Sequence, residues 1–164
     1  MHDRRAAADA DEWAVRMVDA GSEPARVAMS RYFAELDARF PTGFRASTSL
    51  DDAAAYFNPP NGAFVVAARD DAVLGCAAVQ FLDDDRGEIK RMWVAPDARA
   101  RGVATRLLSY LEELVRASGR ETVLLDTNGT LTEAVALYTK NGYRPTERYN
   151  DNPYADHWFV KTLR

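Results

Sequence analysis

At 164 residues the chain has the length of one domain with a single substantial core. Its 47% apolar and 28% charged residues are the balance of a soluble globular protein, and no apolar run approaches the ~20 residues of a membrane span. A net charge of −4 argues against a nucleic-acid binder, and a lone cysteine, Cys76, excludes an internal disulfide and fits a reducing cytoplasm.

Residues 1–11 are rich in alanine and charge, lack the apolar stretch of a secretory signal, and read as a frayed end. Residues 13–18 alternate well enough for a first strand. Ser22-Glu-Pro24 then opens a helix, with a hydroxyl cap and proline in the first turn. Met29, Phe33, Leu36 and Phe40 form its apolar stripe, which ends before Pro41-Thr-Gly43. Arg31, Glu35 and Arg39 stand at i,i+4 spacing and predict exposed ion pairs. Residues 51–57 suggest a short helix, stopped by Asn58-Pro-Pro60.

Two apolar runs, 63–68 and 73–82, flank Arg69-Asp-Asp-Ala72 as a hairpin. Asp83-Asp-Asp-Arg-Gly87 turns into a strand at about 88–94, where period-two geometry puts Glu88, Lys90, Met92 and Val94 on one face. After the turn Ala95-Pro-Asp97 and a basic loop, Leu107, Leu111, Leu114 and Val115 fall at helical spacing. Ser118-Gly119 closes that helix and 121–127 forms a strand. Asn128-Gly129 turns, and Leu131, Ala134, Val135 and Tyr138 share a face of a second short helix capped by Asn141-Gly142. Segments 143–149 and 157–163 pair antiparallel. The order β-α-α-β-β-β-α-β-α-β-β makes an α/β fold, a mixed sheet with helices on both faces. The whole of 12–164 is one domain.

The loop before the long helix carries the chemistry. Gly102, Val103 and Ala104 fall in the first helical turn, where backbone N–H groups lack partners and the dipole is positive. Gly102 and Ala104 are small enough for an anion to approach the backbone. Residues 86–106 hold six Lys/Arg against two Asp/Glu in an otherwise acidic chain. This suits a small polyanion, pyrophosphate above all. A Walker loop needs Gly-Lys-Ser/Thr and a dinucleotide fingerprint needs three glycines; neither is present.

The pattern Arg99-Ala-Arg-Gly102-Val-Ala104 matches Arg/Gln-x-x-Gly-x-Gly/Ala. With Glu88-Ile-Lys-Arg-Met-Trp-Val94-x-Pro96 and Ala134-Val-Ala-Leu-Tyr138-Thr-Lys-Asn-Gly142-Tyr143, it resembles the GNAT superfamily of N-acetyltransferases. The resemblance covers about 12–164. It implies the GNAT-type acyl-CoA N-acyltransferase fold, with a mostly antiparallel mixed sheet, and acetyl-CoA as cosubstrate. Arg99, Ala100, Arg101, Gly102, Val103, Ala104 and Thr105 would cradle the pyrophosphate, and Met92, Trp93 and Val94 would carry the pantetheine arm. Tyr138 matches the tyrosine beside the thioester sulfur, where a phenol can protonate the departing thiolate; it also lies on an apolar stripe, as a core tyrosine would.

Glu88 matches a position where several members keep a base. It equally suits a strand-end carboxylate paired with Lys90 or Arg86, with water deprotonating the amine. The family's cofactor-binding asparagine, seven residues before the tyrosine, is Leu131 here, so Asn128 either reaches the cofactor or serves its turn. The loop 149–157 borders the acceptor site in the superfamily and makes Asp151, Tyr154 and His157 candidates for binding a cationic amine. In the superfamily the first helices and their linking loop form one wall of that site; Tyr32, Phe33, Phe40 and Phe44 are the aromatics available for it here, and each also suits the core. His157 also has the chemistry of a base, and with His2 and Cys76 as its only companions no metal site is expected. The expected function is acetyl transfer to a primary amine of a small molecule or peptide by direct attack in a ternary complex. The alternative is a non-catalytic acyl-CoA-binding domain. Neither nucleic acid nor membrane is an expected partner, and a homodimer is compatible.

Overall fold

The computed structural model describes residues 12–46 and 50–163, so the reading of 1–11 lies outside the described residues. Seven strands form one sheet: β1 (Ala14–Val18), β2 (Gly62–Arg69), β3 (Ala72–Phe81), β4 (Arg86–Val94), β5 (Thr122–Thr127), β6 (Arg144–Pro145) and β7 (His157–Thr162). Their order is β1-β2-β3-β4-β5-β7-β6. Only β4 and β5 run parallel. Four α-helices connect them: α1 (Glu23–Arg39), α2 (Ala53–Tyr56), α3 (Val103–Ala117) and α4 (Thr132–Lys140). None of the helices is long and apolar enough to cross a membrane.

The central strands β2 and β3 are near-continuous apolar runs, as strands covered on both faces must be. Two glycines show how the faces divide. A Cβ at Gly87 would stand 3.1 Å from the Val115 side chain, so that face of β4 belongs to α3. Glu88, the next residue, points to the opposite face. It shares that face with Trp93, because Gln80 and Cys76 are their partners on β3. Trp93 Nε1 donates to Glu35 at 3.3 Å, which puts α1 over this second face.

Period two does not hold along the whole of β4. Cys76 pairs with Trp93 and Ala78 with Lys90, so three residues of β4 span two of β3. The extra residue is a bulge centred on Arg91, whose φ is +60°. Cys76 Sγ donates to the Arg91 carbonyl at 3.2 Å. Glu88 and Lys90 therefore share a face with Trp93, and Val94, opposite Gly75, turns toward α3. This corrects the expectation that Val94 continues the face of Glu88.

Just ahead of the bulge β4 also parts from β5. The parallel pairing runs only from Arg86↔Thr122 to Ile89↔Leu125, while Lys90 to Val94 have no partner on β5. The opening faces α1 and α4. On the far edge β6 keeps only two residues, with Pro145 at a position whose N faces away from β7; the Thr146 amide still donates to the Trp158 carbonyl at 2.8 Å, and the chain then runs as a long loop to β7. At the start of α1, Ser22 occupies the cap position without a side-chain cap bond, and its buried Oγ has no partner.

One polar cluster lies within the core. Glu112 of α3 accepts from the Tyr143 hydroxyl at 2.7 Å, and Lys161 Nζ lies 3.1 Å from each of its oxygens. Burial beside this carboxylate raises the Tyr143 phenol above its ordinary range. Glu112→Ala strands both donors and should cost about 2 kcal/mol, the scale of hydrogen bonds to a charged group. Urea unfolding checks this as a lower midpoint at unchanged slope; an unmoved midpoint refutes it.

Candidate active site

A cleft of about 280 Å3 opens where β4 leaves β5. Met92, Trp93 and Val94 line one wall, and Gly102, Val103, Ala104 and Thr105 close one end. Gly102 is the N-cap of α3 with φ +80°, and Ala100, two residues earlier, has φ +66°. This pair of left-handed residues folds the loop into a concave nest of backbone amides. The first helical hydrogen bond goes from the Arg106 amide to the Gly102 carbonyl, and no side chain caps the end. The amides of Val103 to Thr105 are thus left for an anion. A Cβ built on Gly102 would meet nothing within 4 Å, so the approach is open.

The loop's arginines do not all face this end freely. Arg99 NH2 donates to both oxygens of Glu35 at 2.7 Å, and its Nε to the Val94 carbonyl at 3.1 Å. Arg106 stacks on the Trp13 ring at 4.4 Å. Glu35 also binds Arg39 at 3.3 Å, and Arg39 pairs with Glu133 of α4. That hydrogen bond, ahead of the other causes, holds the Glu133 carboxyl below its usual range. The i,i+4 pair Glu35–Arg39 expected on α1 is present but half-buried, and it extends through Arg99 and Glu133 into a chain of charges tying the loop, α1 and α4 around the cleft.

A second, smaller cavity of about 100 Å3 adjoins it. Tyr32, Leu36, Met92, Leu131 and Ala134 border both, so the two spaces meet at Met92. Tyr138 lines the smaller one, while its neighbour Leu137 lines the cleft. Its ring packs on Tyr143 and Phe159, and burial raises its phenol well above the ordinary value. The hydroxyl makes no hydrogen bond with a described residue. It is a protonated donor without an acceptor among the described residues.

Residues 29–143 match the model of the acetyltransferase (GNAT) family. The chain belongs to the GNAT family. It is 39% identical over 97 residues to an IAA acetyltransferase of Azospirillum brasilense, a match covering 58% of this chain and 62% of that protein. Indeed the match spans only about three fifths of the length of the first curated relatives. Among solved structures, an acetyltransferase of the GNAT family from Staphylococcus aureus superposes at a TM-score of 0.79, over 92% of this chain and 100% of that one, at 14% identity. An N-acetylglutamate synthase from Neisseria gonorrhoeae, complexed with coenzyme A and L-arginine, gives 0.63 at 20% identity over 92% of this chain and 33% of that one. At such identities the likeness is one of fold: the GNAT fold, with its mostly antiparallel sheet and helices on both faces.

Within this GNAT domain the residues singled out from the sequence separate into groups. Met92 to Val94, Arg99, Ala100 and Gly102 to Thr105 all border the cleft; Arg101 is exposed beside it. Asn128 lines the smaller cavity and is engaged within the protein: its Nδ2 donates to the Tyr154 carbonyl at 2.6 Å and its Oδ1 accepts from Thr130. Tyr154 is also in the cavity wall, stacked on Phe40 and held by a hydrogen bond from the Arg45 amide to its hydroxyl. Asp151 and His157 are not among the lining residues. Asp151 is fully exposed with only Arg148 at 4.0 Å, and His157 stacks on Phe159 beside Asp156.

Glu88 is buried one layer behind the cavity. It lies 3.3 Å from Lys90 Nζ and accepts from Asn150 Nδ2 at 3.1 Å. The buried Tyr149 phenol is raised by desolvation first and by the Glu88 charge second. In front of Glu88 stands Asp126, at the end of β5, which accepts from Asn150 at 2.5 Å and Asn152 at 3.0 Å. Asp126, Lys90 and Arg91 line the cavity and were not singled out from the sequence. A carboxylate near a strand end carries no local mark until the splay that exposes it is known. Tyr32, Phe40 and Phe44 of the aromatic wall do line the cavity.

Proposed function

We propose that this protein is an acetyl-CoA-dependent N-acetyltransferase, acting on a small amine by direct attack in a ternary complex. The observation that carries this reading is the meeting of two spaces at Met92, with the free phenol of Tyr138 in the wall of the smaller one. The amide nest and the open approach at Gly102 fit a pyrophosphate, and the unpaired edge of β4 fits an amide-bearing arm that bonds as a strand would. The smaller cavity takes the acceptor.

In the reaction the amine nitrogen attacks the thioester carbon, the C–N bond forms and the C–S bond breaks. Tyr138 gives its proton to the departing sulfur. The amine must be neutral to attack, although a free alkyl amine has a pKa of about 10.4. Its protons pass to the Asp126–Glu88 carboxylate pair and on to solvent, and one equivalent returns to Tyr138. Asp126 borders the cavity directly, and Glu88 supports it through the shared Asn150. Asp126→Asn should therefore lower kcat about 10²-fold, the low end for loss of a positioned proton acceptor. Glu88→Gln should cost less. The reverse order would move the base to Glu88.

The reading is tested by incubating the protein with acetyl-CoA and a panel of primary amines while following free thiol. Thiol release that depends on an amine, with a matching acetylated product by mass, supports it. CoA binding without transfer to any amine would favour a non-catalytic acyl-CoA-binding domain.

A further inference from the structure

One cation in the acceptor cavity has no counter-ion. Lys90 is matched by Glu88 at 3.3 Å and Asp126 at 3.9 Å. Arg91, beside it, makes no ion pair or side-chain hydrogen bond with any described residue. Its guanidinium lies over the rings of Phe33 at 5.1 Å and Phe57 at 5.5 Å. Its Nε is sealed from solvent without an acceptor. Desolvation pulls its pKa below the ordinary arginine value, and Tyr32, Cys76 and then the carboxylates of Asp126 and Glu88 offset only part of the effect. A buried guanidinium donor without an acceptor is costly. The bulge holds it there: the +60° φ at Arg91 puts its side chain at the cavity instead of continuing the alternation of β4.

We infer that the acceptor is a small amine that also carries a carboxylate, which the Arg91 guanidinium binds. A carboxylate offers a planar pair of acceptors for the two Nη groups of the guanidinium, the sealed Nε lying out of its reach. The rings on its other side hold the group in place. Arg91 precedes Met92, where the cavity meets the cleft, so an amine held by its carboxylate at Arg91 sits next to the reacting end. Asp126, on the same cavity, provides the opposite charge for the ammonium. A zwitterionic amino acid matches this arrangement of one free cation and one nearby anion; a polyamine or aminoglycoside would bring further positive charge toward Arg91. This inference rests on the acetyltransferase reading and deepens it.

The test compares amino acids with their own carboxamides as acceptors, in the wild-type protein and in R91Q and R91K. The wild type should favour the carboxylate by about 10–100-fold in kcat/KM, the range for a charged hydrogen-bonded contact. R91Q should erase that ratio and R91K should restore part of it, with acetyl-CoA binding by calorimetry as the check on folding. Equal use of acids and amides by the wild type overturns the inference and leaves the acetyltransferase reading standing. So does a ratio that survives in folded R91Q, or CoA binding with no acid acetylated. Absence of acetyl-CoA binding to the wild type instead defeats the reading beneath it.

Discussion

Tyr138→Phe is expected to keep acetyl-CoA affinity and lose about 10²–10⁴-fold in turnover, the usual effect of removing a positioned acid. The substitution removes one hydroxyl that no described residue engages, so the packing on Tyr143 and Phe159 survives. Nothing in the fold then needs that oxygen, and the loss should appear in kcat. The raised phenol stays protonated at neutral pH, as the proposed proton donor must be. Single-turnover kinetics isolates the chemical step from product release. An unchanged chemical rate in the variant would remove Tyr138 from the reaction and leave it a core residue.

The second large effect is on the cofactor. Gly102→Ile should abolish the rise in melting temperature that CoA produces in the parent. At a hundredfold excess over Kd that rise corresponds to about 2.7 kcal/mol. Isoleucine at φ +80° is strained, and its side chain would enter the open space that leads to the amides of Val103 to Thr105. Gly102→Ala separates the two effects, since its Cβ meets nothing within 4 Å. The alanine variant should lose some stability and keep much of its CoA response. Full CoA stabilisation of the isoleucine variant would place the anion elsewhere.

The order of elements was legible because each rests on local periodicity and turn residues. The stripe Leu107, Leu111 and Val115 and the turns at Asn58-Pro-Pro60 and Asn128-Gly129 are examples. The amide nest was legible for the same reason: a glycine before an amphipathic helix exposes its backbone wherever the helix lies. What escaped depends on contacts between distant segments. The bulge at Arg91 has no glycine to announce it, and it redirects every later side chain of β4. Glu35 reads as a surface partner for Arg39, yet Arg99, 64 residues away, takes both its oxygens. In the loop 149–157 the residue types made Asp151, Tyr154 and His157 candidates for binding a cationic amine. Its route, tied by Asn128 to the Tyr154 carbonyl and by Asp156 to the Gly129 amide, puts Tyr154 in the cavity wall and leaves Asp151 in solvent. Side-chain direction in a loop is a property of those ties and not of composition.

Calorimetric titration of the wild-type protein with acetyl-CoA tests the central claim most directly. Saturable binding at one site per chain, lost in Gly102→Ile and retained in Tyr138→Phe, is the predicted result. No heat of binding and no thermal stabilisation by acetyl-CoA or CoA, with the protein folded, would contradict it.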